Sequence, residues 1–164
     1  MITKEQYIEA LTKELQIVKH LAKKIKPEQL SHKPTEPQRT LQELMQYLSV
    51  IFTAGADSVA SGDPEAYKKY FGGELPTLEN FITLMDDEEK KVIAFLTPLT
   101  EEELAVDITM FGRTQSRTLH LIGLLKMAAA YKMQLFLYMK ESGTSDINTM
   151  NLWAGMDTPP KENA

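Results

Sequence analysis

Leu119–Met139 reads LHLIGLLKMAAAYKMQLFLYM. Apolar residues fall on nearly every side of a helical wheel, and His120, Lys126, Lys132 and Gln134 break the pattern. A helix apolar all round has to be covered all round. The segment therefore reads as the central helix of a bundle, or as a helix shared with a subunit interface. One stripe of it carries His120, Met127, Tyr131, Gln134 and Tyr138, which at about 100° per residue point the same way. That stripe is where chemistry is expected. The run is long enough to suggest a membrane span, but its lysines, histidine and glutamine argue against one.

The surrounding composition fits a soluble domain. The chain has 164 residues, enough for one domain with a real core, with 43% hydrophobic and 25% charged residues. A net charge of −5 and arginine only at positions 39, 113 and 117 argue against a nucleic-acid surface. With no cysteine there is no disulfide framework, thiolate metal site or cysteine nucleophile. The N-terminus is charged and amphipathic without an apolar signal core, so a cytoplasmic protein with no membrane partner is expected.

Outward from the central segment, three more long helices are expected. The first runs from about Lys4 to Lys24, with an apolar stripe of Tyr7, Ile8, Leu11, Leu15, Val18, Leu21, Ala22 and Ile25. His20 beside it reads as solvated. Pro27, Pro34 and Pro37 then break the chain, and His32 reads as a plain loop residue. The second helix starts on a capping box, Thr40 with Glu43, and runs to about Ala60. Leu44, Tyr47, Leu48, Ile51, Ala54 and Ser58 share a face, and Ala54–Gly55–Ala56 would let a neighbour come close.

Residues 61–77 are too long for a tight hairpin. They are expected to hold one short helical turn around Pro64–Tyr70 and to cross the end of the bundle. The third helix follows Thr77 and reaches Leu96, its core Leu78, Phe81, Ile82, Met85, Val92, Ile93 and Leu96. Its acidic–basic block Asp86–Lys91 reads as a solvated face with pairs such as Asp86–Lys90 and Asp87–Lys91. Thr100 with Glu103 caps a short turn, and Val106, Ile108 and Met110 alternate with polar residues as an extended connector. The last long helix enters after Gly112, at Thr114 or Ser116, and ends near Ser142 with Gly143 as its C′ residue. Met150, Leu152, Trp153 and Met156 are expected to dock on the bundle. Residues 1–157 would form one domain and 158–164 a loose tail.

This order of parts resembles the DinB-like (DinB/YfiT) superfamily of four-helix bundles. Its elements are a helix, a proline-rich loop, a capped helix with E-L-x-x-Y-L at Glu43–Leu48, a long crossover, a third helix and a Gly-led last helix. That helix ends in Y-K-M-Q-L-F-L-Y-M-K-E-S-G at Tyr131–Gly143. In the family the last helix commonly carries H-x-x-x-H-R-G-Q-L and then Y-L-R-x-x-G. The match covers about residues 4–143, with Gln134-Leu135, Tyr138 and Gly143 as its firmest points, and the tail from Asn148 to Asp157 looks like the end of some members.

The resemblance implies an all-α four-helix bundle with a long crossover between helices 2 and 3. It also implies a family metal site, often zinc or nickel, held by one histidine of helix 2 and two of the last helix, four residues apart. Such a pair stacks on one face and leaves open metal positions. Some members use the metal to activate a low-molecular-weight thiol. Here the matching positions are Tyr47, Met127 and Tyr131, or Gln46 if helix 2 is shifted by one, and none is histidine. The expectation is no metal and no cofactor, with zinc or nickel returning only if this mapping is wrong. His120 is roughly 10 Å along the axis from Met127, outside one ligand shell, and reads as a core histidine with one hydrogen-bond partner.

The candidate pocket is Tyr47, His120, Met127, Tyr131, Gln134 and Tyr138, either packed as core or open to a small apolar ligand. Three functions follow. The first is a metal-free, non-catalytic, homodimeric bundle that binds a small ligand or is structural. The second is a DinB-family metal- or thiol-dependent transferase or hydrolase, with His120 and Tyr131 or Tyr47 as acid–base groups. The third is a stress-related protein-interaction module.

Overall fold

Side-chain caps set where the helices begin. In the computed structural model, which describes residues 2–159, Thr3 caps α1 (Lys4–Ala22) and Thr40 caps α2 (Leu41–Ser61). Thr77 caps α3 (Leu78–Leu96) and Thr100 caps α4 (Glu101–Ala105). Strands β1 (Asp107–Met110) and β2 (Arg113–Ser116) follow. Ser116 then caps α5 (Arg117–Glu141), and Asn148 caps α6 (Thr149–Ala154). Both expected capping boxes form: Glu43 accepts from the Thr40 amide at 2.7 Å, and Glu103 from the Thr100 amide at 2.8 Å. At the far end of α5, Gly143 has φ 105°, the left-handed C′ residue the sequence suggests.

Long-range bonds give the helix directions. Thr53 on α2 meets Glu88 on α3, and Gln42 reaches the Pro76 carbonyl just before α3, so these two helices run parallel. Tyr7 donates to the Leu121 carbonyl and Lys132 pairs with Glu14, so α1 and α5 also run parallel. Lys4 binds the Thr97 and Leu99 carbonyls while Lys19 binds Asp86 and Glu89, which makes α1 antiparallel to α3. Arg117 binds the Val59 carbonyl and the Tyr131 ring lies on Tyr47, which makes α2 antiparallel to α5. The result is an up-down-down-up ring. It requires residues 62–77 to return the chain to the starting end, and they do so through a short 3₁₀ turn at Ala66–Tyr70.

Leu11, Leu15, Leu21, Leu44, Leu48, Phe52, Phe81, Met85 and Leu135 fill the centre. At Gly55, an added Cβ would stand 2.7 Å from Leu124 Cδ1, so the small residues of α2 do admit α5 closely.

Several expectations need correction. Residues 106–110 belong to a hairpin: β1 pairs antiparallel with β2, Met110 opposite Arg113, across a Phe111-Gly112 turn. Both turn residues have positive φ (51° and 76°), the geometry that matches strand twist in a two-residue loop. The helix α5 is not covered all round, since Leu119, Ile122, Met133 and Leu137 are exposed. Lys132, an apparent break in the apolar pattern, is instead buried against Glu14 at 2.7 Å. In the tail Leu152 and Asn151 are buried, but Trp153, Met150 and Met156 are exposed rather than docked. His20 is half-buried and bonded to Asn151 Nδ2 at 3.0 Å, and Ile93 is exposed. Within the block 86–91, Glu88 is buried rather than solvated, and the ion pair formed is Asp87–Lys90. Thr158 accepts from Asn148 Nδ2 at 2.8 Å; of the expected loose tail, 160–164 lie outside the described residues. Among the described residues no helix is long and apolar enough to cross a membrane.

Candidate functional site

The facing surfaces of α2 and α5, with the hairpin and the crossover, enclose a cleft of about 770 Å³. Helical spacing explains its walls. Tyr47, Ile51, Gly55 and Ser58 recur at three and four residues along α2; His120, Gly123, Leu124 and Met127 do so along α5. The hairpin adds Met110, Phe111, Arg113 and Gln115, and the crossover adds Tyr67 and Phe71.

The candidate stripe divides between two places. His120 and Met127 line the cleft with Tyr47, and the Tyr131 ring lies 4.8 Å from that of Tyr47. Gln134 and Tyr138 are not among the cleft residues. Gln134 Nε2 donates to the buried Tyr138 hydroxyl at 3.0 Å, one turn beyond Tyr131. The Tyr138 ring meets the edge of His32 at 5.9 Å, and His32 lies 3.5 Å from Glu141. His32 is thus packed against the end of α5 rather than free in a loop.

Hydrogen bonding commits His120. Its Nε2 lies 3.1 Å from the Ile108 carbonyl, an acceptor, so Nε2 carries the proton. Nδ1 then accepts from Gln115 Nε2 at 3.3 Å. Both ring nitrogens are occupied, and the imidazole holds β1 and β2 to α5 as a wall of the cleft. The sequence suggested a core histidine with one partner; here it is half-buried at the cleft wall with two.

Tyr47 is half-buried between Tyr131 and the Arg39 guanidinium, which sits 4.3 Å from its ring centroid. Burial pushes the Tyr47 phenol well above the ordinary tyrosine value, and the neighbouring Tyr131 hydroxyl adds to the rise. The donor chemistry bears on the metal that the family resemblance implies. A phenol binds zinc or nickel as phenolate, and here the neutral form is favoured; Met127 offers only a thioether. The three mapped positions do come together, but their donor set does not fit the metal. Among the described residues no group of three His, Cys, Asp or Glu is placed to hold one.

Tyr47 and Phe71 also line a second, more polar cleft of about 820 Å³, with Arg39, Glu43, Gln46 and Glu74. The two rings therefore separate the clefts. The hairpin and crossover residues escaped the sequence reading; Phe111-Gly112 and Phe71-Gly72, each an aromatic set before a glycine, are the signals that mark them.

Comparison with solved structures agrees with this architecture. The chain superimposes on the crystal structure of the DinB-like protein YjoA from Bacillus subtilis with a TM-score of 0.73, over 87% of this chain and 96% of that one, at 23% identity. The chain has the DinB-like fold. A DinB-like protein from Bacillus cereus ATCC 10987 gives a TM-score of 0.68 over 85% of this chain and 92% of that one, at 16% identity. In sequence, the chain is 26% identical over 134 residues to the uncharacterized protein YjoA of Bacillus subtilis strain 168, covering 80% of this chain and 85% of YjoA. No protein-family model matches it.

Proposed function

We propose that this chain is a metal-free, non-catalytic DinB-like bundle that binds a small apolar molecule between α2 and α5 and works as a homodimer. The observation that carries the reading is the convergence of Tyr47, Met127 and Tyr131 beside a cleft of about 770 Å³ whose lining is mainly apolar. That volume falls in the usual range for small-molecule sites. Where the family places three imidazoles, the ring pair and the thioether present apolar surface. The acid–base alternative is weakened because both His120 nitrogens already have partners.

Support for the dimer comes from the uncovered face of α5, where Leu119, Ile122, Met133 and Leu137 are exposed around the small residues Ala129 and Ala130. The pattern is self-complementary. On an antiparallel second copy Leu119 would meet Leu137, and Met133 would meet Gly123, as a two-fold interface requires. The test is metal content of the untagged protein by mass spectrometry, with thermal melts under zinc, nickel, chelator and naphthalene-type ligands. The expected result is no bound metal, no shift with metal or chelator, and a melt raised by the aromatic ligand. About one metal per chain would overturn the reading.

A further inference from the structure

We infer that the cleft between α2 and α5 takes an aromatic monocarboxylic acid, its ring along an aromatic wall and its carboxylate on Arg113. The inference rests on the ligand-binding reading above and names the class of ligand.

The wall is continuous. Ring centroids step from Phe111 to Tyr67 at 5.4 Å, Tyr67 to Phe71 at 5.9 Å, Phe71 to Tyr47 at 5.8 Å, and Tyr47 to Tyr131 at 4.8 Å. Phe111, Tyr67, Phe71 and Tyr47 line the cleft and Tyr131 backs Tyr47, so a planar ligand ring meets π faces and edges along this side. Phe111 is held there in the left-handed region, which L side chains other than Asn and Asp rarely adopt.

Charge selects the other end. Among the described residues Arg113 is the sole charged one lining the cleft, and no carboxylate among them competes there with an anionic ligand. The other arginines are committed: Arg39 stacks on Tyr47, and Arg117 binds the Val59 and Glu103 carbonyls. Among the described residues Arg113 makes no side-chain hydrogen bond or ion pair, and a guanidinium matches a carboxylate in two-pronged geometry.

A second polar group points to the same conclusion. Ser58 is among the residues around the cleft, and its hydroxyl is fully buried at the wall with no hydrogen-bond partner among the described residues. A buried hydroxyl without a partner carries a desolvation cost that a polar atom of the ligand would relieve.

The test compares two near-isosteric probes, naphthaleneacetate and its neutral amide, by titration calorimetry on the full-length protein, with the variants Arg113→Gln and Arg113→Lys. The acid should bind about tenfold more tightly than the amide, a charge-assisted pair discounted for the exposure of Arg113. Arg113→Gln should abolish the preference, the acid losing far more affinity than the amide, and Arg113→Lys should keep part of it. Equal binding of acid and amide would overturn the carboxylate assignment and leave the apolar cleft standing. Binding of neither would overturn both. Far-ultraviolet circular dichroism of the variants separates loss of charge from loss of fold.

Discussion

Glu88 is the carboxyl whose surroundings depart furthest from its sequence context. It sits in a run of charges, yet α3 turns it inward, where it accepts from the Thr53 amide at 2.8 Å and from the Thr53 hydroxyl. Burial raises its pKa above the ordinary 4.5, with the bonds from Thr53 opposing. The folded state thus holds this proton more tightly than the unfolded chain does. Its stabilising contribution is complete below pH 4.5 and is lost as the pH rises through the raised value. Glu88→Gln should remove that slope: denaturant unfolding across this pH window should show wild type losing stability relative to the variant as pH rises. Glu88→Ala should cost about 1–3 kcal/mol below pH 4.5, because the Thr53 donors lose their acceptor, and that cost should shrink as the pH rises through the raised value. Lys132 carries a similar lesson. Lys132→Ala should destabilise by about 2–3 kcal/mol, toward the low end for a buried pair because Glu14 keeps some solvent contact. The double variant Glu14→Leu/Lys132→Met should recover most of that loss. Neither burial was legible in the sequence, because Glu88 and Lys132 acquire their partners from other helices, and periodicity sees one helix at a time.

Helix positions were legible because caps and periods are local. Thr40 with Glu43 and Thr100 with Glu103 mark their helix starts in four residues of sequence. The hairpin was not. Its second strand, Arg113–Ser116, is polar, and its turn is Phe-Gly where the familiar signals are Asn-Gly or Asp-Gly. Alternation at Val106, Ile108 and Met110 disclosed an extended strand but not its partner. Gly112→Ala isolates the turn's backbone term. A Cβ there would meet nothing within 4 Å, so the variant should lose about 1 kcal/mol purely from the left-handed conformation, read as a lower thermal midpoint. At Gly55 space is the issue instead. Gly55→Ala gains helix propensity but pushes on Leu124, so stability should change by less than about 1 kcal/mol while aromatic-ligand affinity falls as the cleft narrows.

At the scale of the molecule, the long crossover was legible from its length, and the parallel pairing of α2 with α3 is what it permits. The stripe on α5 was half legible: the helical period found Tyr47's neighbours Met127 and Tyr131, but could not separate them from Gln134 and Tyr138, whose surroundings depend on where α2 begins. The uncovered face of α5 makes a prediction about assembly. Leu137→Asp should convert a dimer to a folded monomer, with light scattering reporting the halved mass and circular dichroism the retained helix. A monomeric wild type at the same concentration would discard the interface.

Gly123 belongs to both surfaces. It lines the cleft, and it lies exposed on the uncovered side of α5, with nothing within 4 Å of where a Cβ would be. Whatever packs against that side touches the rim of the cleft, so if the proposed second copy and ligand both bind, association and ligand uptake are thermodynamically linked. Linkage is reciprocal: if a second copy changes the affinity for a ligand by some factor, the ligand changes the affinity for the second copy by the same factor. Apparent ligand affinity should therefore vary with protein concentration across the dissociation range, and Gly123→Leu should disturb both equilibria at once.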